Sequence, residues 1–121
     1  MTDRKELKRQ YKESHQPIGV YRIFNRENGK SFVSSSVNLP AIFNRMRMEL
    51  NNGMHLKHPQ LQREWKEMGA DAFEFEVLEE LEAPDAPEWD PADDLEALHE
   101  LWLEQLAPYD ERGYNRRPRP Q

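Results

Sequence analysis

Cysteine is absent from this 121-residue chain, which excludes disulfide bonds, thiolate metal sites and thiol-based redox chemistry. Long hydrophobic runs are absent too, because no apolar stretch approaches the roughly 18 residues that a membrane helix needs. The N-terminal segment MTDRKELKRQ contains no apolar signal region. Only 36% of the residues are hydrophobic and 33% are charged, so we expect one cytoplasmic domain with a modest core and a heavily charged surface.

Basic residues are missing from one long segment of the chain. Residues 74–111 hold 15 acidic and no basic side chains, whereas residues 1–73 hold 13 basic and 8 acidic ones. Residues 112–121 hold 4 basic side chains and no acidic one. We therefore expect a nucleic acid to meet the first half and the C-terminal tail. The acidic segment 74–111 is either a solvated helix and loop or a docking surface for a basic protein partner.

The stretch PIGVYRIFNRENGKSFVSSSVNL, residues 17–39, has the pattern of a β-hairpin that leads into a helix. Residues 19–24 favour a strand, residues 25–29 are rich in turn formers, and residues 30–33 return as a second strand. The three serines that follow are interpreted as the start of a helix, with Asn38 as its N-cap.

Periodicity predicts the remaining elements. Apolar residues at i, i+3, i+4, i+7 and i+11 from Leu39 indicate an amphipathic helix that ends near Gly53. A second helix is expected from an N-cap at His58 to a stop at Gly69. Alternation over residues 73–77 predicts a third strand with one buried and one wet face.

Three further segments complete the prediction. A basic helix is expected within residues 1–16, and an acidic, proline-containing loop over residues 79–92. The last helix is predicted to start at Asp90 and to stop at Pro108, with His99 on its buried stripe.

Two triplets carry a resemblance to a known family. Gly19-Val20-Tyr21 and, in outline, Phe32-Val33-Ser34 resemble the two signature triplets of the GIY-YIG nuclease family, and the order of elements over residues 17–115 is similar as well. The resemblance implies an α+β fold with a small three-stranded antiparallel sheet flanked by helices. The chain looks like a small stand-alone bacterial member, divided into a basic helix (1–16), the GIY-YIG-like domain (17–115) and a basic tail (116–121).

The resemblance also implies a chemistry, the hydrolysis of DNA phosphodiester bonds with Mg²⁺ or Mn²⁺. Tyr21 would relay or accept the proton, and His55 and Asn115 would belong to the catalytic set. Arg45, one helical turn beyond the position of the family arginine, would have to stabilise charge on the phosphate in its place. The metal ligand would be a carboxylate on the last helix. Residue type assigns it to Glu100, whereas alignment on the tryptophan of that helix assigns His99.

Four positions depart from the family pattern. Phe32 has no hydroxyl where the second tyrosine is expected, and Ser34 replaces a glycine. Ile42 stands at the position of the family arginine, and Met46 stands where a histidine is common. These departures keep an alternative open, in which the fold is catalytically degenerate and binds nucleic acid or a protein partner.

Other polar residues complete the set of candidates. His15, His55 and His58 lack the spacing of a zinc site, so a structural zinc is not expected. Four basic residues are predicted to contact nucleic acid: Lys30, Arg47, Arg116 and Arg117.

Overall fold

The computed structural model describes residues 16–82, 84 and 88–118. The predicted N-terminal basic helix therefore lies outside the described residues, as do the last three residues of the tail. The strands and helices of the described part are β1 (Gly19–Asn25), β2 (Ser31–Ser36), α1 (Leu39–Asn51), α2 (Pro59–Met68), β3 (Phe73–Glu80) and α3 (Pro91–Leu106). Among these helices, none has the length and apolarity needed to cross a membrane.

The three strands form one antiparallel sheet in the order β2-β1-β3, which confirms the predicted α+β architecture. The hairpin turn between β1 and β2 contains Gly29, whose φ of 78° lies in the region that glycine tolerates best. β2 is longer than predicted, because the serines at 34 to 36 belong to the strand. Only Ser36 also serves the helix start, since its hydroxyl accepts from the backbone N–H of Asn38.

The helix starts follow the predicted capping residues. The side chain of Asn38 accepts from the backbone N–H of Ala41 at 3.1 Å, and that of Asp90 accepts from Ala92 at 2.9 Å. His58 occupies the N-cap position of α2 but makes no capping hydrogen bond with its side chain. Its imidazole is therefore free for another partner.

Both faces of the sheet are covered by helices. Tyr21 and Phe32 belong to the cluster under α1 and α2, whereas Val20 and Val33 belong to a second cluster under α3. Successive side chains of a strand point to opposite faces, so α3 covers the face opposite to Tyr21.

The predicted alternation of β3 holds from Phe73 to Phe75, since both phenylalanines pack under the helices and Glu74 is exposed, but it fails at Val77 and Leu78. A shift in the β1–β3 register pairs Val20 with Glu79 and Tyr21 with Val77, which leaves Leu78 unpaired. Leu78 lies on the same face as Glu74 and Glu76, where it packs in the second cluster, whereas Val77 on the Phe75 face is 39% exposed.

The C-terminal segment closes the free edge of β2. Gly113 forms a parallel bridge with Ser31, and the Asn115 side chain continues the contact one step along the strand. Its Oδ1 accepts from the Val33 N–H at 2.8 Å, and its Nδ2 donates to the Val33 carbonyl at 2.7 Å. The amide of Asn115 thus imitates a peptide group of a fourth strand.

Candidate active site

Tyr21 lies on central strand β1, directly opposite Ser34 of β2. Its side chain is only 2% exposed, and its ring makes edge contacts with Phe32 and Phe43. Burial raises the pKa of the phenol to about 12, against the opposing effect of a hydrogen bond with the Ser34 hydroxyl. The phenol is therefore neutral at physiological pH and enclosed by the core rather than open to a substrate.

The α1 positions that the family pattern would fill with polar groups belong to the core. Met46 is buried in the same cluster as Tyr21, and Ile42 packs against that cluster. These side chains offer no group that could hold a phosphate or orient a water molecule. The charged side chains of α1 lie beside these core positions, on the adjacent surface of the helix.

Arg45 and Glu49 form an ion pair on this adjacent surface of α1. The Nε of Arg45 lies 3.2 Å from Oε1 of Glu49, one helical turn further along α1. The other carboxylate oxygen, Oε2, lies 3.0 Å from Nδ1 of the buried His55. The hydrogen bond from His55 lowers the pKa of Glu49, and Arg45 adds to that effect. Glu49 is thus an anion held between two partners, close enough to influence the Tyr21 phenol electrostatically.

A second histidine extends the chain of contacts. Nε2 of His55 lies 2.9 Å from Nδ1 of His58, and the two rings are stacked with an interplanar angle of 13°. Phe32 packs edge-on against His58, with 4.4 Å between the ring centroids. We call the three residues Glu49, His55 and His58 the relay.

Basic side chains surround the far end of the relay. Burial, and then the electrostatic effects of His55, Arg116 and Lys57 in that order, together lower the pKa of His58 to about 4. Arg116 is exposed and donates to the backbone carbonyl of Lys57 at 3.1 Å. Lys57 and Arg116 therefore make the His58 end of the relay positively charged, which suits an anionic ligand such as a phosphate.

The structure brings Tyr21, Arg45, His55 and Arg116 to this region, but it holds other predicted residues elsewhere. Both polar atoms of the Asn115 amide are engaged by the backbone of Val33. The remaining basic candidates have partners of their own: Lys30 pairs with buried Glu64, Arg47 lies over the Phe75 ring and Arg117 pairs with Asp110.

The two candidate metal ligands lie on α3, across the sheet from Tyr21. Glu100 is exposed, and within the described ranges no hydrogen bond or ion pair joins it to Tyr21, Arg45 or His55. His99 is half-buried, and its Nε2 is a buried nitrogen without a hydrogen-bond partner in the described part of the chain. Neither Glu100 nor His99 therefore lies beside Tyr21.

A divalent ion would have to be held in this protein by one carboxylate together with water and phosphate oxygens, as Mg²⁺ often is. Among the described residues, no group of three or more His, Asp or Glu side chains is arranged to hold a metal. Mg²⁺ prefers carboxylate oxygens, yet both oxygens of Glu49 already face Arg45 and His55. The divalent ion expected from the family resemblance therefore has no protein cage in this part of the molecule.

Sequence reasoning missed Glu49 and assigned His58 only a capping position. A signal for Glu49 was present, because it lies four residues after Arg45 on a predicted helix, where opposite charges pair. The contact between His55 and His58 had no such signal, because the loop that joins them has no periodicity.

Comparisons with known proteins support the fold. No protein-family model matches the chain, and no curated protein sequence matches it. A solved variant of the catalytic domain of intron endonuclease I-TevI is 27% identical with a TM-score of 0.66, over 82% of this chain and 92% of that one. The catalytic domain of homing endonuclease I-TevI is 28% identical with a TM-score of 0.65, over 81% of this chain and 96% of that one. The chain therefore has the GIY-YIG fold that its two triplets predicted.

Proposed function

We propose that this chain is a GIY-YIG-type endonuclease domain that hydrolyses DNA phosphodiester bonds beside the relay. The observation that carries the proposal is the Arg45–Glu49–His55 arrangement, which lies on the Tyr21 side of a fold shared with an endonuclease catalytic domain. The arrangement places an exposed cation, an ionised carboxylate and a buried histidine side by side, which are groups that phosphodiester hydrolysis can use.

Arg45 is the residue that would stabilise the reacting phosphate. Its side chain is 70% exposed, and only its Nε faces Glu49, so the two terminal nitrogens remain available to phosphate oxygens. A fixed cation beside a phosphate stabilises the negative charge that develops in the transition state. Lys57 and Arg116 would hold the neighbouring backbone phosphates.

The divalent ion, Mg²⁺ or Mn²⁺, stays a proposal that comes from the family resemblance. Since no ligand cage is assembled among the described residues, we derive no step through the ion. Glu100 or His99 on α3 would have to act from the other side of the sheet.

Three observations favour a second function, nucleic-acid binding without hydrolysis. The phenol of Tyr21 is enclosed, Phe32 has no hydroxyl, and Met46 fills the core. A chain with these features can retain the phosphate-binding surface of a nuclease after its chemistry has been lost.

The test is nicking of supercoiled plasmid by purified protein with Mg²⁺, with Mn²⁺ or with chelator. We expect the wild type to nick the plasmid and Arg45→Gln to be at least roughly 100-fold slower, as typically found when one charge-stabilising donor is removed. The matched control is Arg63→Gln, which removes an exposed arginine from α2 and should leave the rate unchanged. If the protein slows the plasmid in the gel but does not nick it, the chain binds DNA and is not an endonuclease.

Three further features stay proposals. We keep the division into a basic helix (1–16), the GIY-YIG-like domain (17–115) and a basic tail (116–121). We also keep the cytoplasmic location and a basic protein partner for the acidic segment 74–111. Cross-linking to co-purified proteins would test that partner, with an Asp-to-Asn and Glu-to-Gln variant of α3 as the comparison.

A further inference from the structure

The hydrogen bonds of the relay determine which nitrogens carry protons. An ionised carboxylate only accepts, so Nδ1 of His55 must donate to Glu49. When both rings are neutral, Nε2 of His55 then carries no proton and must accept from Nδ1–H of His58. The nitrogen left without a proton is Nε2 of His58.

This last nitrogen is open to a ligand. Within the described part of the chain, no hydrogen bond engages Nε2 of His58. Solvent also reaches it, because the only described side-chain nitrogen that is both buried and unpaired belongs to His99. His58 thus presents an unprotonated nitrogen at the surface, beside Lys57 and Arg116.

The position of His58 coincides with a gap in the expected chemistry. Phe32 stands where the second signature tyrosine is expected, and its ring contacts the ring of His58 at 4.4 Å between centroids. We infer that His58 is the catalytic base, which takes the proton of the attacking water in place of the missing hydroxyl. His55 and Glu49 are its positioning residues. The inference rests on the proposed function.

The step balances as follows. The water oxygen attacks phosphorus and forms the new P–O bond while one proton of the water moves to Nε2 of His58. The bond from phosphorus to the leaving sugar oxygen breaks, and that oxygen takes a proton from solvent. The proton on Nδ1 of His58 can move to Nε2 of His55, so the positive charge comes to lie beside Glu49. The relay returns its proton to solvent, and one water is consumed.

The electrostatics around His58 agree with this assignment. The pKa of His58 is lowered to about 4 by burial and by its cationic neighbours, so the ring is neutral at physiological pH but is a weaker base than an ordinary histidine until the neighbouring charges are neutralised. The charged groups that face it are Lys57 of the same loop, Arg116 of the C-terminal segment and Glu49 of α1 through His55. A bound phosphate would neutralise Lys57 and Arg116 and make proton uptake easier.

The first variant to examine is His58→Asn, because asparagine is a good N-cap and keeps α2 intact. We expect plasmid nicking to fall at least roughly 100-fold, the usual range for loss of a general base, and added imidazole to restore part of the rate. The matched control is Asp90→Asn, which changes the N-cap of α3 on the opposite face and should leave the rate unchanged. Circular dichroism would verify that both variants fold.

The positioning role of Glu49 is tested by the pH–rate profile of Glu49→Gln. Without the anion, charge on the relay is less stable, so the acid limb should move to lower pH and the plateau rate should fall. A merely structural role would lower the plateau without moving the limb.

The possible outcomes separate the inference from the proposed function. Nicking by the wild type that persists in His58→Asn, or a loss that imidazole does not repair, overturns the base role but leaves the endonuclease standing. A wild type that does not nick overturns both.

Discussion

Glu64 shows how much a single buried carboxylate determines in this small domain. Its Oε1 accepts from Asn28 at 2.6 Å, from the Tyr114 hydroxyl at 2.9 Å and from Asn25 at 3.4 Å, and its Oε2 faces Lys30. One side chain of α2 thereby joins the hairpin turn to the C-terminal segment. The relay is built in a similar way, with a carboxylate of α1 holding His55 of the loop that follows the helix.

This network predicts a pH dependence of stability. Burial alone would raise the pKa of Glu64, but the hydrogen bonds from Asn28 and Tyr114 and the charge of Lys30 outweigh it and lower the pKa below its ordinary value of 4.5. A carboxyl with a lower pKa in the folded state stabilises the protein above its unfolded pKa, and this contribution disappears as the pH falls. We therefore expect Glu64→Gln to reduce the free energy of unfolding at pH 7 by roughly 1–3 kcal/mol and to make its decline below about pH 4.5 shallower.

Urea unfolding between pH 7 and pH 3 measures this effect. Glu67→Gln, on the exposed side of the same helix, is the control and should reproduce the wild-type curve. If the two variants give parallel curves, the acid sensitivity originates elsewhere, for example at Glu49.

At the scale of single residues, the sequence predicted which residues match the family motif better than it predicted how deeply they are buried and what they contact. Tyr21 matches the tyrosine of the first triplet. The burial of its ring follows from contacts with Phe32 and Phe43, and the contact with Phe43 depends on the packing of α1 on the sheet. The contact between His55 and His58 depends on the path of an irregular loop, which has no periodicity to reveal it.

At the scale of elements, the first triplet has a structural reason that its resemblance to a motif does not give. A Cβ on Gly19 would lie 2.1 Å from the backbone oxygen of Glu79 and 2.9 Å from Cα of Glu80. These atoms belong to the strand that carries the β1–β3 register shift, and they cannot move without breaking strand pairs. Glycine is needed there so that two backbones can approach closely.

We therefore expect Gly19→Ala to destabilise the protein by roughly 3 kcal/mol or more, the range found when overpacking forces the backbone to move. Gly29→Ala is the comparison: its Cβ meets nothing within 4 Å, but its φ of 78° strains an alanine. That strain costs about 1 kcal/mol. Urea unfolding of both variants distinguishes the two causes, and equal losses would contradict the steric explanation.

The elements themselves were largely predictable, because capping residues, turn formers and apolar periodicity are local signals. The errors occurred where pairing between strands decided the outcome. The serines at 34 to 36 extend β2 because β1 continues opposite them, from Gly19 to Tyr21. The register shift in β3 is another example, because it leaves Leu78 unpaired between Val77 and Glu79 and has no trace in the composition of the strand.

At the scale of the whole molecule, charge is divided between the two faces of the sheet. Arg45, Lys57 and Arg116 lie around the relay, on the side of α1 and the loop before α2. Helix α3, on the opposite face, carries acidic side chains and no lysine or arginine. A DNA duplex would be attracted to the relay side and repelled from α3, so the charge pattern orients the protein on its proposed substrate.

This division predicts how DNA affinity depends on salt. Each phosphate neutralised by a protein cation contributes about −0.9 to the slope of log K against log salt. Arg116 donates only to a backbone carbonyl, whereas Arg117 already pairs with the carboxylate of Asp110 at 2.7 Å. Arg116→Gln should therefore make the slope shallower by about 0.9, and Arg117→Gln should change it less. Fluorescence anisotropy of a labelled duplex with chelator present, which suppresses metal-dependent cleavage, gives both slopes; equal changes would mean that the tail acts as diffuse charge rather than through Arg116.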